Sequence, residues 1–72
     1  MGNLTVGEKL KIIMDRRHIT MTTLAELSGQ PRQNLSNKFS RNNFSEGDIK
    51  VLSDAMGCEY DIKFTLPDGT EV

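Results

Sequence analysis

Four polar side chains in the stretch RQNLSNKF have the types and spacing needed to recognise nucleic-acid bases. In a helix with Leu35 and Phe39 turned inward, positions 32, 33, 36 and 37 project from the opposite side. Those positions hold Arg32, Gln33, Ser36 and Asn37. Arginine can place a bidentate fork on guanine, glutamine and asparagine can do the same on adenine, and serine can bond either kind of base edge. These residues are candidate base contacts; the alternative is an ordinary solvated helix face.

Neither catalysis nor a metal site is indicated. The chain has one cysteine, Cys58, and one histidine, His18, so it holds no Cys/His cluster at ligand spacing and no internal disulfide. There is no Ser/His/Asp grouping, glycine-rich phosphate loop or constellation of paired carboxylates. We therefore expect a protein that is not an enzyme and uses no cofactor.

The charge is divided unevenly along a chain whose net charge is −1. Residues 1–45 carry seven basic and three acidic side chains, a net charge of +4, whereas residues 46–72 carry two basic and seven acidic ones, a net charge of −5. A basic half is what a face that meets a polyanion requires. The acidic total therefore does not exclude a nucleic-acid partner.

The length of 72 residues indicates one small domain with a limited core, for which a second subunit is a common source of added stability. The beginning of the chain lacks a basic segment followed by an apolar region, and no apolar run approaches the roughly 18 residues of a membrane span. We expect a cytoplasmic protein with no membrane contact.

Hydrophobic periodicity predicts four helices. The first runs from about Thr5 to Arg17 and opens with a capping box of Thr5 and Glu8. A short second helix follows the N-cap Thr20, buries Leu24, Ala25 and Leu27, and ends at Gly29. A third should begin at Pro31 and end at about Phe39 or Ser40, and a fourth should begin with a second capping box at Ser45 and Asp48 and end at Gly57.

The chain changes period after residue 59. Tyr60, Ile62, Phe64 and Leu66 alternate with polar residues, which predicts a half-buried strand before the turn signal Pro67-Asp68-Gly69. The expected fold is thus mainly α: a compact four-helix domain containing a helix-turn-helix over residues 1–58, followed by a short C-terminal β-strand or hairpin over residues 59–72.

The middle of the chain resembles the Cro/phage-repressor (XRE-like) helix-turn-helix family. The resemblance is carried by GEKLKIIMDRR, by TLAELSGQPRQNLSNKF with Ala25, Gly29 and Leu35 at the positions of the motif, and by LSDAMGCE in the following helix, and it covers about residues 6–59. Two positions depart from the family pattern. Gln30-Pro31 stands where an apolar residue and a hydroxyl cap are usual, and Lys38 stands where an apolar residue is usual, with Phe39 expected to take over its packing role.

The resemblance implies a DNA-binding transcriptional regulator of repressor type, from a prokaryote or phage, that reads the major groove of double-stranded DNA. It carries base contact to Arg32, Gln33, Ser36 and Asn37. It places contacts to the DNA backbone at the start of the second helix and at and after the end of the third, namely Thr20, Thr22, Lys38, Arg41, Asn42 and Asn43. Helix capping and loop solvation are the alternative roles of these residues.

The predicted strand suggests a homodimer. An exposed edge carrying Tyr60, Ile62, Phe64 and Leu66 favours antiparallel pairing with the same strand of a second copy, because the three residues after Gly69 are too few to pair along its length. The other arrangement is a strand folded back onto its own helices in a monomer. The alternative function is a protein-interaction module, such as an antitoxin-like regulator that binds a partner protein.

Overall fold

The computed structural model describes residues 4–72 and contains four helices. They are α1 (Val6–Arg17), α2 (Met21–Ser28), α3 (Arg32–Arg41) and α4 (Glu46–Ala55). None of the described helices is long and apolar enough to cross a membrane.

Both predicted capping boxes are confirmed. The Thr5 hydroxyl accepts a hydrogen bond from the Glu8 N–H at 3.2 Å, and the Glu8 carboxylate accepts one from the Thr5 N–H at 2.8 Å. Ser45 and Asp48 make the same reciprocal pair at the start of α4. Each box satisfies two amides that a helix N-terminus otherwise leaves unpaired. The bond from the Thr5 N–H also lowers the pKa of Glu8.

The predicted ends of α2 are confirmed, whereas those of α3 differ slightly from the prediction. Thr20 caps α2 through the N–H of Thr23, and Gly29 ends it in the left-handed conformation with φ 69°. Pro31 is the N-cap of α3 rather than its first helical residue, since its backbone is extended with ψ 140°. The helix continues to Arg41, beyond the predicted end, and is closed by Asn42 with φ 49°.

The core lies where the four helices meet. Its buried members are Leu10 and Met14 of α1, Leu24 and Ala25 of α2, Leu35 and Phe39 of α3, and Leu52 and Met56 in and after α4. Phe44 packs against this cluster and meets Phe39 edge to face, with ring centroids 5.1 Å apart. Such aromatic pairs add to the free energy that burial alone provides.

The prediction that Leu27 is buried is wrong, because 55% of it is exposed. Successive helix residues are about 100° apart around the axis. The covered arc of α2 runs from Leu24 to Ala25 and includes the half-buried Met21 and Ser28. Leu27 falls outside this arc.

The predicted C-terminal strand is also wrong, since the described residues contain no sheet and only an isolated bridge between Thr65 and Glu71. As expected, residues 70–72 are too few to pair along the length of residues 60–66, and they pair only with its end. Phe64 and Val72 exchange two backbone hydrogen bonds, and the Leu66 N–H donates to the Thr70 carbonyl at 2.7 Å. This short hairpin holds only residues 64–66 and 70–72, so the sequence alternation over residues 60–63 finds no strand partner within the described chain.

The hairpin depends on its turn. Gly69 has φ 92°, a conformation that favours glycine, and the Asp68 carboxylate accepts a hydrogen bond from the Thr70 N–H at 2.9 Å. That bond lowers the pKa of Asp68. The hairpin side chains are exposed, and the molecule measures 43 × 22 × 22 Å along its principal axes, with a radius of gyration of 13.4 Å.

Candidate nucleic-acid interface

The turn between α2 and α3 consists of three residues, Gly29 to Pro31. The N–H of Gln30 donates to the carbonyl of Ala25 at 3.0 Å, and the Gln30 side-chain amide donates to the Ser28 hydroxyl at 3.1 Å. Ser28 in turn donates to the Leu24 carbonyl at 2.7 Å. These bonds satisfy the end of α2 and fix the direction in which α3 leaves the turn.

The orientation of α3 is set by two buried residues. Leu35 is fully buried and Phe39 is 8% exposed, so the ridge that they form lies against the core. The prediction that Phe39 packs into the core, in place of the apolar residue that is usual at position 38, is therefore confirmed. The polar remainder of α3 faces outward, because Leu35 and Phe39, four residues apart, share one side of the helix.

Gln33 and Asn37 are brought together on the exposed side of α3. The Gln33 side-chain amide donates to the Asn37 side-chain oxygen at 3.2 Å, and both residues are exposed. The bond restricts both side chains and leaves the Gln33 oxygen and the Asn37 amide free of side-chain partners among the described residues. The pair therefore presents both hydrogen-bond donors and acceptors to solvent.

Arg32 and Ser36 differ in their exposure to solvent. Arg32 is exposed in the first turn of α3 and forms no ion pair with the described residues. Ser36 is half-buried at the border of the outward surface. Of the four predicted base contacts, three are thus exposed and one is half-buried.

Sequence reasoning missed two residues of the outward surface. Asn34 and Ser40 are exposed. Ser40 lies seven residues after Gln33 and therefore on the same side of α3. Their polar type and their spacing from Leu35 and Phe39 are the sequence signals that identify both.

Neither α2 nor α3 has an acidic residue at its N-terminus. The first turns of α2 and α3 contain none, whereas α1 has Glu8 and α4 has Glu46 and Asp48. The partial positive charge of the helix N-terminus is therefore not offset by a carboxylate in the first turn of α2 or of α3, and this favours an anion nearby. The Thr20 hydroxyl is engaged by Thr23, while Thr22 is exposed and makes no side-chain hydrogen bond to the described residues.

Lys38 is joined to α4. Its ammonium lies 2.6 Å from the carboxylate of Asp48, and the two side chains are only 31% and 24% exposed. The Lys38 hydrogen bond, together with the Ser45 N–H, lowers the pKa of Asp48. This pair connects the last turns of α3 to the first turn of α4, and it gives Lys38 a structural partner in addition to its predicted role.

The last residue of α3 and the two residues after it, Arg41, Asn42 and Asn43, are all exposed. Arg41 forms no ion pair with the described residues, and Asn43 makes no side-chain hydrogen bond to them. The side-chain oxygen of Asn42 is used within the fold, where it accepts a hydrogen bond from the Gly7 N–H at 2.9 Å. Arg41 follows Asn37 by four residues and so extends the line of Gln33 and Asn37 along α3.

Two short helices joined by a three-residue turn, the second anchored by Leu35 and Phe39 and polar on its outer side, define a helix-turn-helix domain. The chain belongs to the family of Cro/C1-type HTH DNA-binding domains, whose family model matches residues 9–61. Searches of curated proteins and of solved structures gave no significant match. The protein is a DNA-binding regulator of this family.

Proposed function

We propose that this protein binds a specific sequence of double-stranded DNA through the major groove and acts as a repressor-like transcriptional regulator of a prokaryote or phage. The observation that carries the proposal is the outward side of α3, where Gln33 and Asn37 are exposed and hydrogen-bonded to each other. Arg32 is exposed in the first turn of α3 and forms no ion pair with the described residues. Arginine suits guanine and the two amides suit adenine. Ser36 borders this surface and contacts a base or sugar at its edge.

Contacts to the phosphates would fix α3 in the groove. One phosphate can bind at the N-terminus of α2, where the first turn lacks acidic residues and Thr22 can donate its hydroxyl. Thr20 supports this site as the N-cap of α2. At the other end of α3, phosphates can be bound by Arg41, by Asn43 and by the side-chain amide group of Asn42, which has no hydrogen-bond partner among residues 4–72. Lys38 can contact a phosphate while it remains paired with Asp48. An ammonium has three donors, and Asp48 is its one acceptor among the described residues.

The protein acts as a homodimer in this proposal, joined through the C-terminal residues Tyr60, Ile62, Phe64 and Leu66. Each of these side chains is exposed, from 37% for Tyr60 to 66% for Phe64, although Tyr60 and Ile62 lie beside α1 and α4 and the Tyr60 hydroxyl donates to the Glu46 carboxylate at 3.4 Å. Four exposed apolar side chains within seven residues favour contact with a partner molecule. A twofold dimer places two α3 helices about 34 Å apart on a near-palindromic operator.

Binding to random duplex DNA at increasing salt tests the basis of the proposal. Anisotropy of a labelled 20-base-pair duplex should show binding at low salt that weakens linearly on a log–log plot, because phosphate contacts release counterions. Arg41→Ala removes one proposed phosphate contact and should lower the slope by about one, whereas Arg32→Ala, which removes a proposed base contact, is the control and should leave the slope on random duplex nearly unchanged. Absence of binding at low salt would refute the proposal.

Selection from a random duplex library then tests sequence specificity. We expect an enriched site with twofold symmetry and half-sites one helical turn apart. Enrichment of a single unsymmetrical half-site would contradict the dimer, and no enrichment would contradict base reading.

A further inference from the structure

The hydrogen bond between Gln33 and Asn37 divides their donors and acceptors unequally. Each side-chain amide has two N–H donors and an oxygen that can accept two bonds. Gln33 uses one donor on the Asn37 oxygen, at 3.2 Å, and neither amide has another hydrogen-bond partner among the described residues. Gln33 therefore keeps a free oxygen and one N–H, whereas Asn37 keeps both N–H groups and an oxygen that already accepts one bond.

The direction of this bond agrees with the position of the pair in α3. Gln33 lies in the first turn of the helix, which contains no acidic residue, and it directly follows Arg32. The partial positive charge of a helix N-terminus favours a carbonyl oxygen there over an N–H group. A glutamine bonded to an asparagine four residues later is also a pairing that stabilises helices. The free oxygen is therefore favoured at Gln33 and the free N–H groups at Asn37.

The bond also strengthens the groups that remain free. Linked hydrogen bonds polarise one another, so an amide that donates becomes a better acceptor and an amide that accepts becomes a better donor. Gln33 donates and Asn37 accepts. The oxygen of Gln33 is thus a stronger acceptor than that of an isolated glutamine, and the N–H groups of Asn37 are stronger donors. Both side chains are exposed, so bases can reach them.

The edges of the bases in the major groove distinguish these two amides. Adenine presents the acceptor N7 beside a donor, its amino group, whereas guanine presents two acceptors, N7 and O6. The oxygen and the remaining N–H of Gln33 match adenine, and the two N–H groups of Asn37 match guanine. The bonded atoms of the pair are 3.2 Å apart, close to the rise of about 3.4 Å between stacked bases. The two amides are therefore spaced for adjacent base pairs.

We propose that Gln33 and Asn37 read DNA as a unit that selects an A·T pair beside a G·C pair, with Gln33 on adenine and Asn37 on guanine. This inference rests on the proposed function and specifies the bases that α3 reads. Asn37 is in addition the positioning residue of Gln33, because its oxygen holds the Gln33 amide before DNA binds. Such preorganisation reduces the side-chain entropy lost on binding.

Side-chain dynamics in the free protein test whether the pair is preformed. Heteronuclear NOE values of side-chain amides in the full chain should show Gln33 to be more restricted than Asn43, which is exposed and makes no side-chain hydrogen bond to the described residues. Asn37→Ala should make the Gln33 amide as mobile as that of Asn43. Asn34→Ala, which alters an exposed asparagine of the same helix, is the control and should leave Gln33 unchanged. A Gln33 amide already as mobile as that of Asn43 in the wild type would overturn the proposal.

Selection from a random duplex library with the wild type and with Asn37→Asp tests the assignment of bases. The wild type should enrich adjacent A·T and G·C pairs. Asn37→Asp keeps an oxygen for the Gln33 N–H but has no donor, and a carboxylate accepts from the amino group of cytosine. This variant should therefore retain adenine and exchange guanine for cytosine at the neighbouring position. Two adjacent adenines in the wild-type site, or an unchanged guanine in the variant site, would refute the assignment.

Titrations on single-base variants of the selected site measure the positioning role. Replacing the adenine by guanine should weaken wild-type binding at least about tenfold, because a bidentate contact is lost. In Asn37→Ala this factor should fall to about threefold or less, since the Gln33 amide is no longer oriented, whereas in Asn34→Ala it should stay near the wild-type value. An adenine preference that survives Asn37→Ala unchanged would show that Asn37 does not position Gln33.

Binding to random duplex at low salt separates this inference from the proposed function. Asn34→Ala and Asn37→Ala alter none of the proposed phosphate contacts, so both should bind random duplex as the wild type does. A wild type that binds random duplex and selects a site without adjacent A·T and G·C pairs refutes the reading unit alone. A wild type that binds no duplex refutes the proposed function itself.

Discussion

The side-chain oxygen of Asn42 accepts a hydrogen bond from the N–H of Gly7 at 2.9 Å. Asn42 closes α3 in the left-handed conformation, and Gly7 lies in the first turn of α1, so the bond connects the end of one helix to the beginning of another. Gly7 is buried, and an added Cβ would lie 3.0 Å from the Asn42 oxygen. The position of α3 thus depends on a contact that is distant in sequence.

Replacing Asn42 should lower the free energy of unfolding. Asn42→Ala removes the acceptor from Gly7 and places alanine at φ 49°, which together should cost about 1–3 kcal/mol. Asn43→Ala is the matched control and should change stability by less than about 0.5 kcal/mol, because Asn43 is exposed. Urea denaturation followed by circular dichroism measures both. Equal effects of the two substitutions would mean that the bond to Gly7 adds nothing.

The Lys38–Asp48 pair should make stability depend on pH in the acid range. The pKa of Asp48 in the folded protein lies below its ordinary value of 3.8, chiefly because of the hydrogen bond from Lys38. The resulting stability is present in full above the unfolded pKa and is lost as the pH falls through the lower folded pKa. Lys38→Met should cost about 0.5–1 kcal/mol near neutral pH. The difference from wild type should shrink below about pH 4, and a difference that does not change with pH would contradict the ion pair.

Overpacking Ala25 tests the crossing of α2 and α3. Ala25 is 4% exposed and belongs to the core, so Ala25→Leu should destabilise the fold by about 1–3 kcal/mol. Its neighbour Glu26 is exposed, and Glu26→Leu should be close to neutral. Thermal unfolding provides the measurement, and an Ala25→Leu variant as stable as wild type would show that the helices do not approach closely there.

Base readers and phosphate binders should differ in their response to DNA sequence. Arg32→Ala or Gln33→Ala should cost roughly 1–3 kcal/mol on the selected site and little on random duplex. Arg41→Ala should weaken both and reduce the salt slope by about one. Anisotropy titrations on the two duplexes distinguish these outcomes. If Gln33→Ala weakens binding to both duplexes equally, Gln33 does not read bases.

Local signals predicted the helices well because the relevant contacts are close in sequence. The cap at Thr5 acts on Glu8 three residues later, and the left-handed glycine Gly29 ends the helix that directly precedes it. The outward surface of α3 followed from the spacing of Leu35 and Phe39 in the same way. Such features need no knowledge of the rest of the fold.

The errors concern contacts between distant parts of the chain. Periodicity could not show which side of α2 the other helices cover, so Leu27 was assigned to the core. The ion pair of Lys38 with Asp48 and the bond from Gly7 to Asn42 arise only when the helices pack. The alternation over residues 60–66 predicted a strand along its whole length. A strand requires a hydrogen-bonded partner, and within the described chain only residues 64–66 find one.

The projecting hairpin has a hydrodynamic consequence. A compact domain of this length has a radius of gyration of about 11 Å, compared with 13.4 Å here. An elongated monomer experiences more friction than a sphere of equal mass, so it elutes early from a sizing column and diffuses slowly. A single early peak would therefore overstate the mass of this chain, and only a method insensitive to shape, such as light scattering or sedimentation equilibrium, can distinguish a stretched single copy from two.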